Sequence, residues 1–194
     1  MLRAEDIASE KVDIRLRVKL EHIAQQEPVE KHAELIAKLH NEYRHSIVLE
    51  TATAPKNVQT PEYTCFNYAF ELVDVNIVNV SYALELLNDG LFVSSLIAQR
   101  LEEIDPREST DGDVVVYSDA REIMHAGKVF SGFVVSKWGH GGLLWKHRLF
   151  EIPSSYGDNV RFFRQLDRSV SEQVFLKYAK TRFAEDLIDQ LLAS

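Results

Sequence analysis

The chain has 194 residues, 45% hydrophobic and 27% charged, enough to bury a core as one ordinary globular domain. Lys plus Arg number 22 against 30 Asp plus Glu, and the formal net charge of −8 argues against a general polyanion binder, so no nucleic-acid partner is expected. A single cysteine, Cys65, excludes an intramolecular disulfide and any zinc site built from several thiolates.

The first 16 residues, MLRAEDIASEKVDIRL, are charged throughout and hold no apolar run, which argues against a secretory signal. The longest uncharged apolar-rich stretch, Val75–Leu84, is ten positions long and contains Asn76, Asn79 and Ser81. A membrane span needs about 20 apolar residues. The expectation is a cytoplasmic protein with no membrane partner. Ala4–Gln26 lacks Gly and Pro and carries Ile7, Val12, Leu16, Leu20 and Ile23 at helical steps. Pro28 interrupts it, and His32, Leu35, Ile36, Leu39 and Tyr43 mark one face of a second helix. The two read as a helical hairpin, and the polar, Pro-bounded Thr51–Pro61 as a connection.

In PEYTCFNYAFELVDV, Pro61 and Thr64 stand where a helix starts, so Cys65 falls in its first turn. Asn79–Asn88 and Leu91–Glu103 read as further helices. From Asp111 the pattern changes to β-branched runs. DGDVVVYS is a strand after a Gly turn. HAGKVF and FVVSKW form a hairpin around Ser131-Gly132, and Gly139–Gly142 is a loop. LLWKHRLFEIP is a straight or bent strand, SSYGD a turn, NVRFFRQL a last strand, and Ser171–Ala193 a helix. The fold class is therefore α+β: a Cys-bearing helix packed on four or five antiparallel strands, with an N-terminal helical hairpin and a C-terminal helix. The expected divisions are a helical extension over 1–55, an α+β core over 56–168, and a C-terminal helix over 169–194 packed on the core.

A thiol is a strong nucleophile only as the thiolate. A helix N-terminus favours that negative charge, and its free amides can hold the oxyanion of a tetrahedral intermediate. A base, normally His, completes the set. Of the seven histidines, His22, His32, His40 and His45 lie in the helical extension, and His125, His140 and His147 in the sheet region. His125 opens a strand and is followed by Ala126-Gly127, small residues that let a facing helix come close.

Cys65 in TCFNYAFEL, the Gly112-Asp113 turn into Val114–Tyr117, and His125-Ala126-Gly127-Lys128-Val129 together resemble the NlpC-type and CHAP-type papain-like cysteine hydrolases. The resemblance covers roughly Pro61–Leu166 and leaves both helical ends unexplained. His125 lies 60 positions after Cys65, with an extra helical piece between them. The resemblance implies Cys65 as nucleophile and His125 as general base in cleavage of an amide or peptide bond, with no cofactor and no metal. It also implies that the residue opposite the Gly of H-x-G orients the imidazole. Pairing Phe130 with Phe133 carries Gly127 opposite Ser136 and His125 opposite Trp138. Ser136 is therefore the expected orienting residue, His140 in the GHGG loop its rival, and Trp138 a pocket wall. Tyr63 and Tyr68 would shape a substrate slot beside Cys65.

Other readings stand beside this one. A lone Cys is commonly a small buried hydrophobe, and the core would then be a catalytically silent scaffold for protein interactions. An intracellular toxin or effector acting as deamidase or protease would use the same chemistry. A zinc site from His125, His140 and His147 matches no ligand spacing. Arg161, Arg164 and Arg168 read as a mixed edge strand. The amphipathic helical segments would serve a homodimer contact as well as packing on the core. The peptide or amide substrate is left unidentified.

Overall fold

The computed structural model describes residues 12–50, 63–87, 90–120, 122–139 and 141–193. The expected connection Thr51–Pro61, the first part of the helix expected over Ala4–Gln26, and His140 lie outside the described residues. Seven antiparallel strands form one sheet in the order β1-β6-β5-β4-β3-β7-β2. Their ranges are β1 Val48–Leu49, β2 Glu103–Ile104, β3 Val114–Ser118, β4 Ile123–Phe130, β5 Phe133–Lys137, β6 Leu144–His147 and β7 Asn159–Phe163. The sequence reading of four or five strands missed β1 and β2. Each is two residues long, too short for a periodicity to register.

Helices cover both faces, which is why Val114–Tyr117 reads as an unbroken apolar run rather than an alternation. On one side, Val114, Val116, Ala126 and Phe163 join a core with Phe66, Phe70, Phe92 and Phe175. On the other, Val115, Tyr117, Val134, Trp138 and Trp145 pack with Leu16, Leu20, Ile23 and Ile36 of the N-terminal helix pair. That pair is α1 (Ile14–Gln26) and α2 (Val29–Leu39). Asp13 caps the start of α1, its carboxylate accepting from the Arg15 and Leu16 amides. The first face carries α3 (Cys65–Ala69), α4 (Val75–Ala83), α5 (Leu91–Gln99), α6 (Arg168–Lys180) and α7 (Glu185–Leu192).

Several boundaries differ from the sequence reading for local reasons. Asp74 caps α4 at Val75, and Glu85 in the left-handed region closes it before Asn88. Helix α5 stops at Gln99, and Glu103–Ile104 leave it to pair with Phe162 and Phe163 of β7. The C-terminal segment is two helices, because the Thr181 hydroxyl donates back to the Tyr178 carbonyl and Ala184 is extended. Strand β6 covers only Leu144–His147 of LLWKHRLFEIP. The hairpin register is as read: Phe130 pairs with Phe133, Val129 with Val134 and Lys128 with Val135.

Candidate active site at the end of the sheet

Helix α3 is five residues long and is held at both ends by its own side chains. Thr64 and Asn67 form a reciprocal capping box: the Asn67 backbone amide donates to the Thr64 hydroxyl (3.2 Å) and the Thr64 backbone amide to Asn67 Oδ1 (2.9 Å). Asn67 is fully buried, and its Nδ2 donates to the Leu72 carbonyl and the Ser81 hydroxyl. Glu71, with φ of 58°, closes the helix. Its amide donates to the Tyr68 carbonyl and the Leu72 amide to the Asn67 carbonyl, the pattern of a Schellman motif. The Glu71 carboxylate then accepts from Lys128 Nζ (2.5 Å) and Gln165 Nε2 (2.6 Å), which ties α3 to β4 and to the chain after β7. These contacts fix Cys65 at the first position of a helix lying against the strand that carries His125.

The Gly112-Asp113 motif serves the sheet rather than the chemistry. Asp113 is buried, and its carboxylate accepts from the Thr110 amide and hydroxyl, the Gln165 amide and Arg164 Nη1. This sets the entry of β3. Along β3 and β4, Tyr117 pairs with His125 but Ser118 pairs with Ile123, leaving Met124 as the extra residue of a β-bulge. Bulges re-aim the neighbouring side chain. Here the neighbour is His125.

A cavity of about 140 Å³ opens at this end of the sheet, with Cys65, His125 and Tyr156 on its walls. Phe66, Leu87 and Met124 supply apolar lining, and Thr64 and Gly139 complete it. The sulfur of Cys65 reaches the backbone of Ala126, the residue after His125. His125 is 1% exposed, stacked on the Tyr156 ring (centroids 3.9 Å, planes 16° apart), with Tyr117 at 5.7 Å on another side. Its Nε2 is buried with no hydrogen-bond partner among the described residues. The cavity thus joins an element from each face of the sheet. Helix α3 comes from one, and the turn holding Tyr156 from the other.

The protonation states depart from the sequence expectation. Burial pushes the Cys65 thiol up to about 11, outweighing the backbone groups of Ala126 and Phe66 and the nearby Lys137 charge, all of which pull it down. A five-residue helix has too few aligned peptides to offset that desolvation. His125 is held well below 6.5, first by burial and then by His147 nearby. No hydrogen bond joins the thiol to the imidazole among the described residues. The resting pair is a neutral thiol beside a neutral imidazole.

Ser136 is not the partner of His125. The Ser136 oxygen lies 2.8 Å from His147 Nε2 and accepts from Trp138 Nε1 at 3.1 Å. His147 Nδ1 lies 2.7 Å from the Arg148 carbonyl, which can only accept. Nδ1 therefore carries the proton, Nε2 accepts, and the Ser136 hydroxyl donates to it. Burial holds His147 at about 4, consistent with this neutral tautomer. Gly127 does face Ser136: a Cβ there would stand 2.9 Å from the Ser136 Cβ and 2.8 Å from the Val135 carbonyl. Trp138 is buried with Trp145 and His147 in the α1-side core, and does not line the cavity.

Tyr63 is buried beneath Lys137, whose Nζ stands 4.7 Å from the ring centre and donates to the Gly142 carbonyl. Neither Tyr63 nor Tyr68 lines the cavity, although burial raises the phenol of each. The sequence carries no signal that sets apart Tyr156, which sits in a turn, or Lys137, which lies at the end of β5. Burial lowers that lysine to about 8. Among the described residues no group of three His, Cys, Asp or Glu side chains gathers where a metal could be held. No described helix is long and apolar enough to cross a membrane.

The fold is thus an α+β domain in which a cysteine-bearing helix packs on a seven-stranded antiparallel sheet between two helical layers. No protein-family model, curated protein or solved structure matches the chain.

Proposed function

We propose that this protein is a papain-like cysteine hydrolase that transfers an acyl group from an amide or peptide bond to Cys65, with His125 as general base. The observation that carries the reading is the shared cavity. A thiol at a helix start and a buried imidazole with an unpartnered nitrogen line the same small space. The neutral resting pair sets the mechanism. As the sulfur attacks the carbonyl carbon, its proton passes to His125, and the carbonyl oxygen becomes an oxyanion. The amides of Cys65 and Phe66, first and second in α3 and free of intrahelical bonds, are the donors assigned to that oxygen. His125 then returns the proton to the leaving amine. Water, deprotonated by the same imidazole, hydrolyses the thioester.

A second reading is favoured by a specific observation. The thiol is held protonated and makes no hydrogen bond to His125, as in a papain-like scaffold that has no catalytic role and serves protein contacts. Acylation by p-nitrophenyl acetate separates the two. The hydrolase reading expects a burst of p-nitrophenol matched by an acyl group on Cys65, slowed by about 100-fold or more in His125→Ala. Equal acylation rates with and without the imidazole favour the scaffold.

A further inference from the structure

The turn that carries Tyr156 is gripped along its length by one face of α1. Arg17 is 2% exposed, an unusual burial for a guanidinium. Its Nε donates to the Ile152 carbonyl (3.3 Å), and Nη2 to the carbonyls of Pro153 (3.2 Å) and Gly157 (2.8 Å). Its Nη1 pairs with the Asp158 carboxylate. One helical turn on, the Glu21 carboxylate accepts from the Ser155 amide (2.9 Å) and hydroxyl (2.6 Å). Another turn on, Gln25 Nε2 donates to the Ser155 hydroxyl (3.3 Å). Positions 17, 21 and 25 are spaced four apart, so they form one stripe of the helix. Between them they bond to a seven-residue stretch, 152–158, that has no strand of its own. The 3-10 turn within it, Ser154–Tyr156, presents the Tyr156 ring to His125.

We infer that α1 is part of the site, its Arg17, Glu21 and Gln25 acting as positioning residues that hold Tyr156 stacked on His125 and so close one wall of the cavity. The inference rests on the Cys65–His125 reading for its functional meaning. A short irregular turn cannot hold a ring at stacking distance by itself, because its backbone carbonyls must find donors elsewhere. Arg17 supplies them in one fork, with a geometry that a lysine ammonium does not reproduce. The stack in turn excludes water from the imidazole. The groups facing His125 are Cys65 from α3, Tyr117 from β3, Tyr156 from the turn and His147 from β6. Among the described residues no carboxylate is one of them, and the only charge acting on His125 beside burial is that of His147.

The test is an NMR titration of the histidine rings in the intact protein, alongside Cys65 acylation by p-nitrophenyl acetate. In the wild type, His125 stays neutral well below pH 6.5. In Arg17→Lys, Glu21→Ala and Tyr156→Ala its titration moves up toward 6.5. Tyr156→Phe keeps the ring and titrates as wild type. Cys65 acylation falls about tenfold or more in the two α1 variants. Glu21→Ala, which removes only the Ser155 bonds, covers the event that the Arg17 variant does not fold. An unmoved His125 titration in Glu21→Ala and Arg17→Lys, with Tyr156→Ala shifting it, overturns the role of α1. An unmoved titration in Tyr156→Ala overturns the stack as the shield. Acylation that is independent of His125 would instead overturn the hydrolase reading and leave the positioning role standing on the titration alone.

Discussion

Replacing Ser136 by alanine separates the orienting role that the sequence suggests from the structural role that the site displays. The Ser136 hydroxyl donates to His147 Nε2 and accepts from Trp138 Nε1, all three groups being buried. Alanine leaves both nitrogens without a partner. An orphaned buried polar group costs about 1–3 kcal/mol, so the pair predicts a loss of about 2–6 kcal/mol. Trp138 and Trp145 are the only two tryptophans, and both are packed in this core. Urea denaturation followed by tryptophan emission therefore reads the perturbed region directly. The midpoint should fall with little change in slope. Under native conditions, acylation of Cys65 should remain dependent on His125. A stability loss under about 0.5 kcal/mol would mean that the hydroxyl does not make these bonds. Unchanged stability with acylation reduced to the His125→Ala level would restore Ser136 as the orienting residue.

Other outcomes follow from the same geometry. Gly127→Ala places a Cβ 2.7 Å from Val134 Cγ1 and 2.8 Å from the Val135 carbonyl, and should cost about 1–3 kcal/mol in a denaturation series. His147 is depressed from 6.5 to about 4 and His125 is also depressed, so the folded state favours both neutral forms. Their contribution to stability is complete above pH 6.5 and is lost as pH falls toward 4, because the unfolded chain then binds protons that the folded chain refuses. The urea midpoint should decline over that window, with a shallower slope in His147→Gln; a flat profile in the wild type contradicts the burial argument. The Cys65 thiol, raised from 9.0 to about 11, stabilises the fold fully below pH 9 and progressively less as pH rises to 11. Thiolate absorbance, with Cys65→Ser as the blank, should show a midpoint near 11, and a midpoint at or below 9.0 would contradict it.

Much of this was legible in the residues, and the misses have physical causes. Pro61 and Thr64 announce a helix start, and the structure puts Cys65 at its first position. The Ser131-Gly132 turn sets a hairpin register that the strands follow. Two-residue strands such as Val48–Leu49 are invisible, because pairing with Lys146 and Trp145 defines them rather than any local pattern. The thiol state could not be read, because it depends on desolvation by chain segments far away in sequence. The same holds for Ser136. Its partner His147 belongs to the next strand, and only the β5–β6 pairing brings the two together. Tyr156 and Arg17 were unremarkable for a similar reason. A contact spanning 135 or more positions, such as that from Arg17 to the 152–158 turn, leaves no periodic trace. The stretch SSYGD, read only as a turn, is the part of the chain that the N-terminal helix holds in place.

The central claim is that the His125 imidazole takes the proton from a neutral Cys65 thiol. The most direct measurement is the rate of Cys65 acylation by p-nitrophenyl acetate against pH, in the wild type and in His125→Ala. The account predicts a wild-type rate that is already high near neutral pH, far below the thiol's own titration near 11. It predicts a His125→Ala rate that rises only as the thiolate forms. Two superimposable profiles, both following thiolate formation, would contradict it and leave Cys65 as a half-buried thiol without a base.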